Sequence, residues 1–230
     1  MSLNHEIINL ITQECDAIVG FADLRCLPDE ARLGYGCGIL IALPFTREAM
    51  RENLRGLPQR YYDEHEPMNL QFRRLKELAV QFLRSRGYEA TANTPASVID
   101  ERTLRSPLPQ KTVATLAGVG WIGKCAMLVT HEYGCAVRLT VVLTNAPLDC
   151  GVPITQSLCP PECNVCTDIC PGKAPLGGLW ELSAKRESFF DAHACQTAAR
   201  ARGKAMLGVE QCLCGLCASS CPFTKRGLWY

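Results

Sequence analysis

The sequence predicts an α+β protein, with a layered α/β region over residues 1–150 and a smaller cysteine-rich domain over residues 151–230. Three observations carry that reading. Helical and strand-like hydrophobic patterns alternate through the first part of the chain. Two C-x2-C-x3-C-P arrays, at Cys163–Pro171 and Cys214–Pro222, lie in the last third. Between them and the layered part, Asn145-Ala-Pro147 to Gly151-Val-Pro153 is rich in turn residues and marks a boundary.

The elements follow in chain order. Leu3, Ile7, Leu10 and Ile11 recur at helical spacing, and Ala17–Ala22 then reads as a strand. A second strand, Cys37–Leu43, is halted by Pro44. From Met68 to Arg86, the residues Leu70, Leu75, Leu78, Ala79, Phe82 and Leu83 share one helical face, and Gly87 ends the helix. Ala126–Thr130 and Ala136–Leu143 read as two further strands, with His131–Gly134 as a hairpin turn between them.

Composition narrows the function. The 230 residues are 47% hydrophobic and carry a formal net charge of +1. No apolar run reaches the roughly 18 residues of a membrane span, so no membrane association is expected. A near-neutral chain has no general electrostatic claim on nucleic acid, and none is expected as a partner. There are 15 cysteines, and Met1–His5 carries no basic region of the secretory kind. Thiols at that density without an export signal predict a reducing, cytoplasmic setting.

The cysteine spacing is the most specific signal. Zinc ribbons pair two C-x2-C knuckles and need four ligands; here each array has a third interval and a trailing proline. The pattern is that of a protein holding two [4Fe–4S] clusters, in which the cysteine before each proline reaches to the other motif's cluster. By that logic Cys159, Cys163 and Cys166 hold one cluster, completed by Cys221. Cys195, Cys214 and Cys217 hold the other, completed by Cys170, with Cys212 as a substitute in the second site. Two such clusters predict single-electron transfer.

The segment Gly118-Val-Gly-Trp-Ile-Gly-Lys124 contains G-x-G-x-x-G. A dinucleotide fingerprint needs a strand before the glycines and a helix after them. Here a helical run, Lys111–Ala117, precedes and a strand follows, which argues against a nucleotide site. Two readings stay open: a turn that lets backbone approach a flat ligand beside Trp121 and Lys124, or a turn in which Trp121 packs into the core. Cys125, Cys135 and Cys150 cluster around this segment in sequence, as a redox pair, a metal site, a ligand to the metal of a bound cofactor or small buried hydrophobes. Cys15, Cys26 and Cys37 read as core residues. Of the histidines, His65, near Tyr61 and Tyr62, is the pocket candidate.

Taken together, Gly118–Lys124, Cys163-Asn-Val-Cys-Thr-Asp-Ile-Cys-Pro171, the lone Cys195 and Cys214-Gly-Leu-Cys-Ala-Ser-Ser-Cys-Pro222 resemble the epoxyqueuosine reductase family, in order and over most of the chain. Short proteins described as "4Fe–4S double cluster binding" are the nearer likeness, and reductive dehalogenases are relatives. The resemblance implies an α/β domain of nitroreductase-like type that binds a corrinoid (cobalamin), coupled to a C-terminal two-cluster ferredoxin-like domain. It implies that Gly120, Trp121, Gly123 and Lys124 shape the cofactor pocket. A ferredoxin- or flavodoxin-type donor, and a corrinoid or corrinoid protein, are the implied partners. The family's acidic proton donor has no match in spacing; Asp100 or Glu101 would stand in, or be exposed loop acids. The expected function is an iron–sulfur oxidoreductase that passes electrons to a corrinoid or a bound substrate. The alternative is a low-potential carrier or reductive activator of a partner corrinoid protein.

Overall fold

The structure is a computed structural model that describes residues 2–56 and 58–229. In chain order the elements are α1 (Leu3–Thr12), β1 (Ile18–Asp23), α2 (Asp29–Arg32), β2 (Cys37–Pro44), α3 (Arg47–Leu54), α4 (Gln59–Asp63) and α5 (His65–Ser85). There follow β3 (Ala90–Thr91), α6 (Gln110–Leu116), β4 (Gly120–Ile122), β5 (Leu128–Thr130) and β6 (Val137–Thr144). The cysteine-rich segment adds α7 (Val165–Ile169), α8 (Ala192–Leu207), α9 (Leu216–Ser220) and α10 (Pro222–Trp229).

The chain forms two compact units, interleaved in sequence. One holds Met1–Pro44, Pro67–Gly120 and Arg138–Ile154; the other holds Phe45–Glu66, Trp121–Val137 and Thr155–Tyr230. The cysteine-rich segment therefore shares its unit with two earlier pieces of chain.

In the first unit a four-stranded sheet has the order β1-β2-β6-β3. β1 and β2 are antiparallel, with Ile18 opposite Ala42 and Asp23 opposite Cys37. β3 and β6 are also antiparallel. The central strand β2 is buried over six successive residues, because it is covered on both faces. α6 lies across β1 and β2. Gly38 permits that approach, since a Cβ there would sit 3.2 Å from Val113 Cγ1 and 2.9 Å from Leu24 Cδ1. α5 buries Met68, Phe72, Leu75, Ala79, Val80 and Leu83. Leu70, expected on that face, is instead 56% exposed; Phe72 and Val80 take the inward positions.

The expected hairpin does not form. Thr130 and Gly134 do close a tight turn through reciprocal backbone bonds. However, β5 pairs with β4 in a separate two-stranded sheet, while β6 joins the four-stranded one. In the second unit, α3 packs against α4 and α9. Trp180 and Phe189 pack with Ala126, and Ile122, Ala184 and Phe190 close around them. No helix among the described residues is long and apolar enough to cross a membrane.

Candidate metal centre

The two cysteine arrays fold alike. α7 carries Cys166 and ends on Cys170, which leaves the helix with φ −69° and ψ 117°. α9 carries Cys217 and ends on Cys221, with φ −54° and ψ 130°. The proline after each ligand position explains this, because its ring drives the preceding residue out of the helical region. Pro222 then starts α10, where a missing N–H costs nothing. α7 and α9 pack together, which brings the two motifs side by side.

Beside them lies a small hollow, partly open to solvent. Six thiols line it: Cys125, Cys135, Cys159, Cys163, Cys166 and Cys221. Cys159, Cys163 and Cys166 come from the first motif and Cys221 from the second, so the hollow draws on both. Gly123, Lys124 and Phe223 complete part of its wall.

The Gly-rich segment serves this wall. A Cβ on Gly123 would stand 3.4 Å from Cys159 Sγ and 2.9 Å from Val129, so only glycine lets the strand pass so close. Lys124 is 3% exposed, and its Nζ donates to the carbonyl oxygens of Pro161 at 2.6 Å and Cys163 at 3.0 Å. That ties the loop carrying Cys159 and Cys163 to the segment. Trp121 is fully buried, edge-on to His131 and Phe223. Gly120 is buried as well.

A second group of thiols surrounds Cys195. Burial, with Cys212, Cys170 and Cys214 nearby, pushes the Cys195 thiol up to about 12. Cys214 is raised by burial too. Its carbonyl is gripped by Asn53 Nδ2 at 3.1 Å and by Arg202 at 3.4 Å. Asn53 is fully buried and also donates to Ser219 Oγ at 3.0 Å, so α3 pins the turn that leads into α9. Sequence reasoning missed Asn53, which lies 161 residues from Cys214 and has no local pattern to announce it.

Around the hollow the thiols bond to one another. Cys125 and Cys135 Sγ atoms are 4.0 Å apart. Hydrogen bonding to Cys125 and Cys221, with full burial, holds the Cys135 thiol well above its ordinary range. Cys221 accepts from Cys135 and is lowered to about 6 despite burial. Hydrogen bonding to Cys125, followed by burial, raises Cys166.

The donor set fits an iron–sulfur group: among the described residues, the metal-binding side chains that line the hollow are all thiols, and four of them belong to the two arrays. Among the described residues no group of three or more His, Cys, Asp or Glu side chains is drawn together as a metal site. Thr167 Oγ1, the residue after Cys166, is buried with no partner, as is Trp121 Nε1.

Other expected residues lie elsewhere. Cys150 belongs to the first unit, where burial and neighbouring Cys37 push it up to about 12. Cys15 and Cys37 are only half-buried and Cys26 is exposed, so none of these is a core residue. His65 packs with Phe45 and Tyr61, and its Nδ1 lies 2.7 Å from the Tyr61 carbonyl. Asp100 and Glu101 are exposed. Asp100 accepts two 2.7 Å bonds from Thr103, which lower its pKa and make it an acceptor that closes a turn rather than a proton donor.

No family model matches the chain. Over 124 residues it is 32% identical to the epoxyqueuosine reductase of Synechococcus sp. (strain CC9605), covering 54% of this chain and 38% of that protein. Over 127 residues it is 32% identical to the tetrachloroethene reductive dehalogenase of Sulfurospirillum multivorans, covering 50% and 24%. The chain is related to the epoxyqueuosine reductases and the reductive dehalogenases.

The matched segments make up well under two thirds of either relative's length. In structure, an epoxyqueuosine reductase solved with a tRNA stem loop superposes with a TM-score of 0.61 at 20% identity, over 97% of this chain and 65% of that one. A reductive dehalogenase, whose structure suggests a mechanism for B12-dependent dehalogenation, gives a TM-score of 0.64 at 16% identity, over 94% and 31%. Likeness at that identity establishes a shared mixed α/β fold.

Proposed function

We propose that this chain is a cytoplasmic iron–sulfur reductase that binds two [4Fe–4S] clusters and delivers single electrons to a corrinoid or to a small substrate. Two curated relatives, an epoxyqueuosine reductase and a reductive dehalogenase, support the reaction class. The observation that carries the cluster assignment is the hollow in which Cys159, Cys163 and Cys166 meet Cys221. In this reading those four hold one cluster, and Cys195, Cys214, Cys217 and Cys170 hold the other. In this reading the cluster ligands all come from residues 151–230, and the acceptor is taken by residues 1–150.

When bound, such clusters supply low-potential one-electron chemistry. The chain's own residues hold and insulate them. Lys124 fixes the loop of Cys159 and Cys163. Asn53 and Arg202 fix Cys214. Trp121 and Phe223 form an apolar wall that limits water near the first cluster. In this reading Gly120, Trp121, Gly123 and Lys124 help to shape the acceptor's pocket, Gly123 and Lys124 also lining the hollow.

Metal analysis of anaerobically purified protein, from cells supplied with cobalamin, tests the proposal. About eight irons per chain with sulfide supports two clusters, and stoichiometric cobalt adds the corrinoid. Iron without cobalt favours an electron carrier or activator. Zinc without iron overturns the reading.

A further inference from the structure

Six thiols line a hollow in which a four-iron cluster uses four. The surplus pair is Cys125 and Cys135. Both are buried, at 5% and 1% exposure, and their sulfurs are 4.0 Å apart. A cysteine that serves only as a small hydrophobe is packed among apolar groups, whereas these two face each other across a sulfur-lined space.

Each is also held from outside by backbone that does not relax easily. Ala126, directly after Cys125, has a left-handed φ of 57°, an unfavourable conformation for a non-glycine residue. The tight turn it makes is closed by a bond from Ala126 N to Gly123 O at 2.8 Å. On the other side, Gly134 has φ 57° and is pressed against α10, where a Cβ would come within 2.2 Å of Thr224 N. Cys135 N–H donates to Thr224 Oγ1 at 2.9 Å. The strained backbone beside Cys125 and the close packing of Gly134 beside Cys135 point to a positioned pair.

We propose that Cys125 and Cys135 form a redox-active dithiol that exchanges electrons with the iron–sulfur centres of the chain. The proposal rests on the reading that the hollow holds a cluster. In the oxidising direction, two S–H bonds break and one S–S bond forms. Two protons leave through the open side of the hollow, and two electrons pass singly, one to each of two oxidised [4Fe–4S] centres. The reverse step uses two reduced centres and two protons. Burial favours this route, because electrons reach a buried pair while a thiolate of another molecule cannot attack it. The hollow would then couple one-electron carriers to a two-electron, two-proton store.

The test uses iron-loaded, full-length protein poised anaerobically across a range of potentials with small viologen mediators. Each sample is quenched in acid, alkylated and digested, and the Cys125–Cys135 linked peptide is measured by mass spectrometry beside iron content. The expected result is a linked fraction rising from none to more than half of the chains in a two-electron transition, with iron retained. C125S and C135S should each abolish the link and keep full iron. Retained iron with no link at any potential overturns the dithiol while leaving the cluster reading intact. Loss of iron in C125S or C135S overturns it in favour of a ligand role. A wild-type chain that takes up no iron overturns both.

Discussion

Lys124 Nζ donates to the carbonyl oxygen of Cys163 at 3.0 Å, and to that of Pro161 at 2.6 Å, from a side chain that is 3% exposed. A single buried lysine thus closes the loop that carries two thiols of the hollow onto the strand segment before β5. Replacing it by methionine keeps the volume and removes the donor, stranding two carbonyls. K124M should lose about 1–3 kcal/mol of stability. It should also retain roughly half the wild-type iron, since the ligands around Cys195 do not depend on this loop. Denaturant unfolding and iron analysis of the same preparation check both effects.

Cys221 belongs by sequence to the second array, yet it lines the hollow with Cys159, Cys163 and Cys166. C221S should therefore abolish the electron paramagnetic resonance signal of the same cluster that C163S abolishes, and leave the signal lost in C214S. C170S should behave as C214S does. The opposite pairing of signals would contradict the crossed assignment.

Gly215 sits at φ 67° between Cys214 and Cys217, and a Cβ there would lie 2.5 Å from the Tyr61 ring. G215A should cost about 2–4 kcal/mol, from the left-handed backbone together with the overlap. The double variant G215A/Y61A separates the two terms. Its cost should fall below the sum of the single costs, because removing the ring relieves the clash and leaves only the backbone penalty.

Asp23 is held at about 2 by hydrogen bonds from Arg25, whose Nη2 lies 2.6 Å from Oδ2. A depressed carboxylate pKa stabilises the fold above the unfolded value of about 3.9, and that contribution is lost as pH falls toward 2. The pair is solvent-exposed, so its effect is small. For apo-protein at low salt, D23N should lower Tm by about 2 °C or less at pH 6. The difference from wild type should vanish between about pH 4 and pH 2. A difference that grows on acidification would contradict the sign.

Much of the layered part was legible because local pattern and environment agree. Ile7 and Ile11 are fully buried on α1, and the apolar run of β2 is a central strand. Gly87, with φ 85°, follows the long helix where its pattern stops. Leu70 misled because a helical face is wider than its contact with neighbours, and an apolar residue at its margin stays in water. The hairpin at His131–Gly134 misled for a different reason. Two strands joined by a tight turn usually pair, but here each finds its hydrogen bonds in another sheet.

The site shows the same division. The sequence by itself determined the arrays and the extended backbone at Cys170 and Cys221, because proline acts on its immediate neighbour. It also determined the relationship to reductases, through motif order. Tertiary structure alone decided that Cys125 and Cys135 face the hollow while Cys150 lies in the other unit. It alone placed Asn53 under Cys214, and Lys124 under Cys163. Those contacts join residues tens to more than a hundred positions apart. Local sequence pattern records only the periodicity of a chain's own element, whereas burial and hydrogen-bond closure depend on which distant element is packed against it.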